Sequence, residues 1–156
     1  MNTTRDPHKR QQWQAVDRLL ERWLEERQEL LVRFCAISRL RPLSHAADGF
    51  NSDFHRFCEV LVDYVCAGHF EIYEQLLQEA VAFQDGGTEV ARQLYPVIAH
   101  TTTMVLDFND RYLDQGANGQ HLARGLSQLG EALEVRFEIE DRLIDTLHRA
   151  HAHQVA

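Results

Sequence analysis

The sequence predicts an all-α protein, a single-domain antiparallel helix bundle with a bent middle helix. Apolar residues recur at spacings of three and four along most of the chain, which is typical of helices with one buried face. No segment alternates apolar and polar residues with β-branched enrichment, so strands are not expected. The 156 residues, 44% of them hydrophobic, suffice for one domain with one core.

The first helix is expected over residues 13–37, where apolar side chains fall on a single face. The segment "RPLSHAADG" ends it, since Pro42 and Gly49 favour a loop. A second helix follows over residues 54–65 and a third over residues 70–80.

Between these two helices stands the pair Gly68 and His69. Two structures remain open there. Gly68 could end the second helix as a left-handed residue, or the helix could bend at this point without breaking.

The fourth helix is expected over residues 90–112, with Thr88 as its cap and a kink or break near Tyr95, because Pro96 follows. After the loop "DQGANG", the fifth helix covers residues 122–147. The predicted organisation is a flexible N-terminal arm (1–12), a helix-bundle domain (13–150) and a disordered C-terminal tail (151–156).

The formal net charge of −8 disfavours a general nucleic-acid binder, because the phosphate backbone favours a basic surface. It suits a basic partner, including proteins that themselves bind DNA or RNA. The three cysteines show no CxxC spacing and are expected to be free thiols in a reducing compartment. Neither a membrane-length apolar segment nor a signal peptide is visible, so we expect a cytoplasmic protein.

Nine histidines raise the alternative of a helix-bundle protein that binds a ligand or metal through histidines. Helical iron-carboxylate sites use Glu-x-x-His pairs, because that spacing puts both ligands on one face, and the spacing is absent. His69 is a poor phosphate acceptor, since Glu71 and Glu74 would repel the phosphate. With no legible catalytic triad or phosphate-binding loop, we predict a non-enzyme without metal or cofactor.

A second face of the predicted second helix carries acidic side chains. If the apolar stripe points inward, Glu59, Asp63 and Cys66 lie on another face, and a continuing helix adds Phe70 one turn on. We call Glu59, Asp63, Cys66 and Phe70 the docking strip, because this chemistry suits a basic, partly apolar helix. The alternatives are a solvated face for the two acids and a core position for Phe70.

Two charged residues interrupt the apolar stripes of the first and last helices. These are Arg27 and Glu140, with Arg136 one turn before Glu140. Burial of a charge is costly unless it is paired. We therefore predict that Arg27 and Glu140 form a structural polar pair inside the bundle.

Five blocks of sequence carry a family resemblance: "RWLEER" (22–27), "FCEVLVDYVCAGHFEIYEQL" (57–76), "LYPVIAHTT" (94–102), "LDFND" (106–110) and "LGEALEVRFEIEDRLI" (129–144). They resemble the Rsd/AlgQ family, the regulators of sigma D of gamma-proteobacteria, over about residues 19–147. "AFQD" (82–85) and "FNDR" (108–111) look closer to the pseudomonad AlgQ branch. Cys66 stands where the family pattern suggests serine.

The resemblance implies an all-helical anti-sigma factor. Its partner would be the primary sigma factor of RNA polymerase, chiefly region 4, whose helix-turn-helix reads the −35 promoter element. Occupying that region would sequester sigma and favour alternative sigma factors as growth slows towards stationary phase. The expected sigma-binding residues lie in the best-matched block: Glu59, Asp63, Cys66, His69, Phe70 and Glu74. Direct nucleic-acid or membrane binding is not expected.

Overall fold

The computed structural model describes residues 6–40, 48–115 and 119–155. Its helices are α1 (Pro7–Leu40), α2 (Asp48–Ala67), α3 (Tyr73–Phe83), α4 (Gly87–Gln115), α5 (Gly119–Leu147) and α6 (Ala152–Val155). A π-helical segment, Gly68–Ile72, joins α2 to α3, and a 3-10 turn, Arg149–His151, precedes α6. These described ranges contain no strand, so the all-α prediction is confirmed.

Four long members form the bundle: α1, α2 continued through the π segment into α3, α4, and α5. Helix α4 packs along α5 and α1 along α2, while α2 also contacts α4, and α3 contacts α1, α4 and α5. The apolar stripes of these helices meet in one core. Its largest fully buried apolar side chains are Tyr64, Phe57, Leu30, Ile37, Leu61, Leu76, Ile98, Leu122, Leu126, Ile144 and Leu147. The predicted single-domain bundle is therefore confirmed.

The Gly68–His69 pair does not end a helix. Ala67 and Tyr73, on either side of the π segment, both have right-handed helical φ angles of −59° and −56°. Of the two structures left open, the left-handed helix end is therefore wrong, and the helix continues without breaking through a single π turn. A Cβ atom on Gly68 would lie only 2.7 Å from Cζ2 of Trp23. Glycine is needed here for close helix packing.

Helix α4 continues through Pro96, so the break considered near Tyr95 is absent. Pro96 lies on the exposed side of the helix. A backbone carbonyl that loses its partner to proline can bond to water on such a face, which lowers the cost of a proline inside a helix. The start of α4 also differs from expectation: the Asp85 carboxylate accepts the Gly87 N–H at 3.3 Å, and Thr88 lies within the helix.

Both ends of the described chain are helical and in contact. Helix α1 begins at Pro7, and Nε of Arg10 donates to the Val155 carbonyl at 2.9 Å. His151 and Val155 are buried. This packing differs from the expected flexible arm over residues 7–12 and disordered tail over residues 151–155. Residues 1–5, 41–47, 116–118 and 156, which include most of both expected loops, lie outside the described residues.

Candidate functional site

The outer face of α2 and the π segment carries the docking strip. Glu59 and Asp63 are exposed and Cys66 is half-buried. Phe70 is 65% exposed, so the alternative of a core position for Phe70 is wrong. Glu74, on the first turn of α3, is also exposed.

The two acids of the strip differ in their local partners. Glu59 accepts a hydrogen bond from Nη1 of Arg56 at 3.1 Å, within the same helix. The Asp63 carboxylate makes no hydrogen bond or ion pair with any other described residue. Asp63 is therefore the carboxylate of the strip that is available to an incoming cation.

Helix α1 adds a third acid to this surface, which the sequence pattern did not reveal. The pKa of Glu26 is raised by its partial burial and by the negative charges of Asp63, Glu71 and Glu29. Like charges held this close destabilise one another unless a cation lies between them. Arg22 partly offsets this repulsion by lowering the pKa of Glu26, and a guanidinium or ammonium group of a partner would offset it further.

A surface pocket adjoins the strip between α2 and α4. Its lining includes Val62, Asn109 and Leu113 together with Glu59 and Asp63. Such a recess can receive an apolar side chain while the two carboxylates contact a basic one. The combination fits a partner helix with both kinds of side chain.

His69 differs from the other candidate residues because it is buried, with 9% of its surface exposed. Nδ1 lies 2.9 Å from Oγ1 of Thr102, and Nε2 lies 3.1 Å from the Tyr95 hydroxyl. Its ring stacks on Phe70 with centroids 4.3 Å apart. His69 thus contacts the strip from beneath and does not itself face the solvent.

Arg27 and Glu140 lie in contact, as the sequence suggested. Nη2 of Arg27 is 3.1 Å from Oε1 of Glu140, and the Tyr64 hydroxyl donates to the same oxygen at 2.5 Å. The other oxygen, Oε2, accepts from Nε of Arg136 at 2.9 Å. Burial raises the pKa of the Glu140 carboxyl, and Arg136, Tyr64 and Arg27 oppose that shift.

Arg136 is the centre of this network, a role that sequence reasoning missed. Its side chain is fully buried, and all its nitrogens donate hydrogen bonds to groups on α2, α4 and α5. The acceptors are Glu140 Oε2, the Ile98 and Val65 carbonyls, and the hydroxyls of Thr101 and Thr102. One cation therefore holds three helices together beneath the strip.

A second polar cluster lies at the other end of α5. Nδ1 of His148 and Nδ1 of His151 contact the two oxygens of buried Glu79, at 2.6 and 2.9 Å. Nε2 of His148 reaches Asp17 at 2.9 Å, and Nε2 of His151 reaches Asp85 at 2.5 Å. This cluster ties the C-terminal turn to α1 and α3.

Neither cluster has the arrangement of a metal centre. Across residues 6–40, 48–115 and 119–155, no group of three or more His, Cys, Asp or Glu side chains is placed to hold a metal ion. Within the same ranges, no helix combines the length and apolar content of a membrane span.

Comparison with known proteins identifies the family of the chain. The family described as "Regulator of RNA polymerase sigma(70) subunit, Rsd/AlgQ" matches residues 4–148. The chain belongs to the Rsd/AlgQ family. Its relatives include the "Regulator of sigma D" of Salmonella paratyphi B, 34% identical over 140 residues that cover 85% of each chain. The "Regulator of sigma D" of Yersinia pseudotuberculosis is 32% identical over 131 residues, 81% of this chain and 77% of that protein. No solved structure matches the chain.

Proposed function

We propose that the protein is an anti-sigma factor that binds the primary sigma factor of RNA polymerase, chiefly through region 4. Binding there withholds sigma from core polymerase and from promoter DNA, and so regulates transcription without turnover. The observation that carries the proposal is Asp63, which is exposed and makes no hydrogen bond or ion pair with another described residue, in a member of this regulator family.

The chemistry of the two surfaces supports the pairing. A helix-turn-helix that reads DNA carries basic side chains for the phosphates. Asp63 and Glu26 offer a negative surface for those side chains, and a guanidinium near them would relieve the repulsion from Asp63 that, after burial, raises the pKa of Glu26. Phe70 supplies an aromatic anchor of the kind that dominates binding energy at the centre of an interface.

The same electrostatics argue against direct binding to DNA or RNA. With a formal net charge of −8, the protein repels the nucleic acid that its partner attracts. The proposed mechanism is competition: the acidic surface occupies the basic side chains that would otherwise contact the promoter. Because the partner belongs to RNA polymerase, we place the protein in the cytoplasm.

Titration calorimetry with the isolated region 4 of the primary sigma factor tests this function. We expect saturable one-to-one binding that promoter DNA carrying the −35 element reduces by competition. An unrelated basic helix-turn-helix domain is the specificity control. Absence of binding to region 4, or equal binding to the control domain, would contradict the proposal.

Elemental analysis of the purified protein addresses the alternative of a histidine-based metal-binding protein. The anti-sigma proposal needs no bound metal for partner binding. Stoichiometric iron or zinc, lost together with sigma binding on chelation, would favour the alternative.

A further inference from the structure

The π turn produces an unusual contact between two adjacent side chains. Neighbouring residues on an α-helix point about 100° apart, yet the rings of His69 and Phe70 lie parallel within 7°, with centroids 4.3 Å apart. His69 covers one face of Phe70, while Phe70 as a whole remains 65% exposed. A π turn inside a helix is frequently found at functional sites.

The hydrogen bonds of Thr102 favour one tautomer of His69. The Thr102 hydroxyl donates its single hydrogen to the Ile98 carbonyl at 2.9 Å and accepts from Nη1 of Arg136 at 2.8 Å. A threonine hydroxyl has one hydrogen to donate. With that hydrogen on the Ile98 carbonyl, Nδ1 of His69, 2.9 Å from the same oxygen, is the donor of this hydrogen bond.

The second ring nitrogen then has a defined role. With the proton on Nδ1, the neutral imidazole carries a lone pair on Nε2, which accepts from the Tyr95 hydroxyl at 3.1 Å. Burial and the positive charge of Arg136 both lower the pKa of His69, which favours this neutral form. One chain of hydrogen bonds thus extends from Arg136 through Thr102 and His69 to Tyr95.

We propose that His69 is a positioning residue of the sigma-binding surface. Held from beneath by Thr102, its neutral Nδ1–H imidazole fixes the ring of Phe70 at the surface before the partner arrives. This inference rests on the proposed function. Preorganisation of an anchor side chain removes an ordering cost that would otherwise oppose binding.

The tautomer can be measured without any partner. Nitrogen-15 NMR of histidine-labelled protein distinguishes a protonated Nδ1 from a protonated Nε2. We expect the His69 proton on Nδ1 at neutral pH, with Nε2 unprotonated. A His69 proton on Nε2, or averaging between the two nitrogens, would overturn the inference.

A double-mutant cycle on region 4 affinity tests whether His69 acts through Phe70. We expect His69→Gln to weaken binding about two- to tenfold, the range that corresponds to ordering one side chain. Phe70→Ala should weaken binding more. The double variant should match Phe70→Ala alone within about twofold, because the two residues act as a unit. His100→Gln, at an exposed histidine of α4, is the matched control and should leave affinity unchanged.

A second variant keeps the test decisive if His69→Gln does not fold. Tyr95→Phe removes only the hydroxyl that donates to Nε2 of His69, on a residue that is 40% exposed. Tyr95→Phe should weaken binding less than Phe70→Ala does. The variant that carries both substitutions should bind about as well as Phe70→Ala alone.

The possible failures are distinguishable. If the unmodified protein does not bind region 4, the proposed function fails and the positioning role fails with it. If it binds but the effects of His69→Gln or Tyr95→Phe multiply with that of Phe70→Ala, only the positioning role is refuted. An unchanged affinity in both single variants refutes the positioning role in the same way.

Discussion

At the residue scale, the buried charges of the bundle are compensated across helices. Glu140 has one oxygen on Arg27 and the other on Arg136, and Arg136 is itself fully buried. Removing one member of such a network leaves the others without a counter-charge, which costs more than the pair contributes. The network therefore fixes which helices meet beneath the docking strip.

Glu140→Ala should lower the free energy of unfolding by about 3–5 kcal/mol, because it strands the Arg136 guanidinium in the core. Arg27→Ala should cost less, since Glu140 keeps its contact with Arg136 at 2.9 Å. Urea unfolding of both single variants and of the double variant measures these changes in the free energy of unfolding. Strictly additive effects would contradict a direct coupling between Arg27 and Glu140.

Gly68→Ala should destabilise the fold by about 1–3 kcal/mol, the usual cost of overpacking. Its Cβ atom would lie 2.7 Å from Trp23, which is buried and stacked on Tyr64. Gly130→Ala is the matched control in another helix interior. Its nearest neighbour is the ring edge of half-buried Phe34 at 3.2 Å, and alanine gains up to about 1 kcal/mol of helix propensity there. Equal destabilisation by both substitutions would contradict the packing role of Gly68.

At the scale of elements, the periodicity of apolar residues was sufficient to predict the helices but not the junctions between them. Apolar spacing predicted the long helices because each has one face in the core. Gly68 was ambiguous, since glycine suits both a helix end and a close contact, and only the position of Trp23 decides between them. The segment after Leu147 looked like a polar tail, because the acids that bind His148 and His151 lie 66 or more positions away in the sequence.

Periodicity also limited what could be predicted of the candidate site. The helical pattern placed Glu59, Asp63, Cys66 and Phe70 on one face, and in the structure three of them are exposed and Cys66 is half-buried. Glu26, on α1, could not be added, because its proximity to Asp63 depends on how α1 packs against α2. Their role in sigma binding stays a prediction.

The C-terminal turn should lose stability as the pH rises. Both ring nitrogens of His148 contact carboxylates, those of Glu79 and Asp17, and only the doubly protonated ring can donate to both. Desolvation lowers the pKa of His148, but hydrogen bonds and charge attraction from Glu79 and Asp17 outweigh it, so its pKa lies above 6.5. A raised folded-state pKa gives stabilisation that is complete below about pH 6.5 and is lost as the pH rises through the folded-state value.

Thermal melting at a series of pH values measures this effect. The difference in Tm between the unmodified protein and His148→Gln should be largest near pH 6 and should shrink towards pH 9. These two pH values are chosen to lie on either side of the ordinary histidine pKa of about 6.5. His100→Gln, at an exposed histidine, should show no such trend. A difference that grows with pH would contradict the assignment.

At the scale of the whole molecule, the acidic surface and the bundle have separate roles. The bundle is held by apolar packing and by internal ion pairs. The formal net charge of −8 acts outside it and favours encounter with a basic partner. Partner binding and fold stability should therefore respond differently to salt.

Raising the salt concentration should slow association with region 4 and leave dissociation nearly unchanged. Steering between complementary surfaces accelerates association by about 10- to 1000-fold, and salt screens it beyond a Debye length of about 10 Å at 0.1 M. Stopped-flow kinetics at several ionic strengths measure the two rates. An association rate independent of salt would contradict a charge-steered encounter.

The most direct test of the central claim is the affinity of Asp63→Ala for region 4, measured together with its melting curve. Losing one partner of an interfacial charge pair costs about 2–5 kcal/mol, so the affinity should fall at least about tenfold. Melting should be nearly unchanged, because Asp63 is exposed and forms no hydrogen bond with the other described residues. Glu134→Ala, which removes an exposed carboxylate of α5, is the matched control and should bind normally. An unchanged affinity in Asp63→Ala, or a loss that only follows a fall in Tm, would contradict the docking strip as the sigma-binding surface.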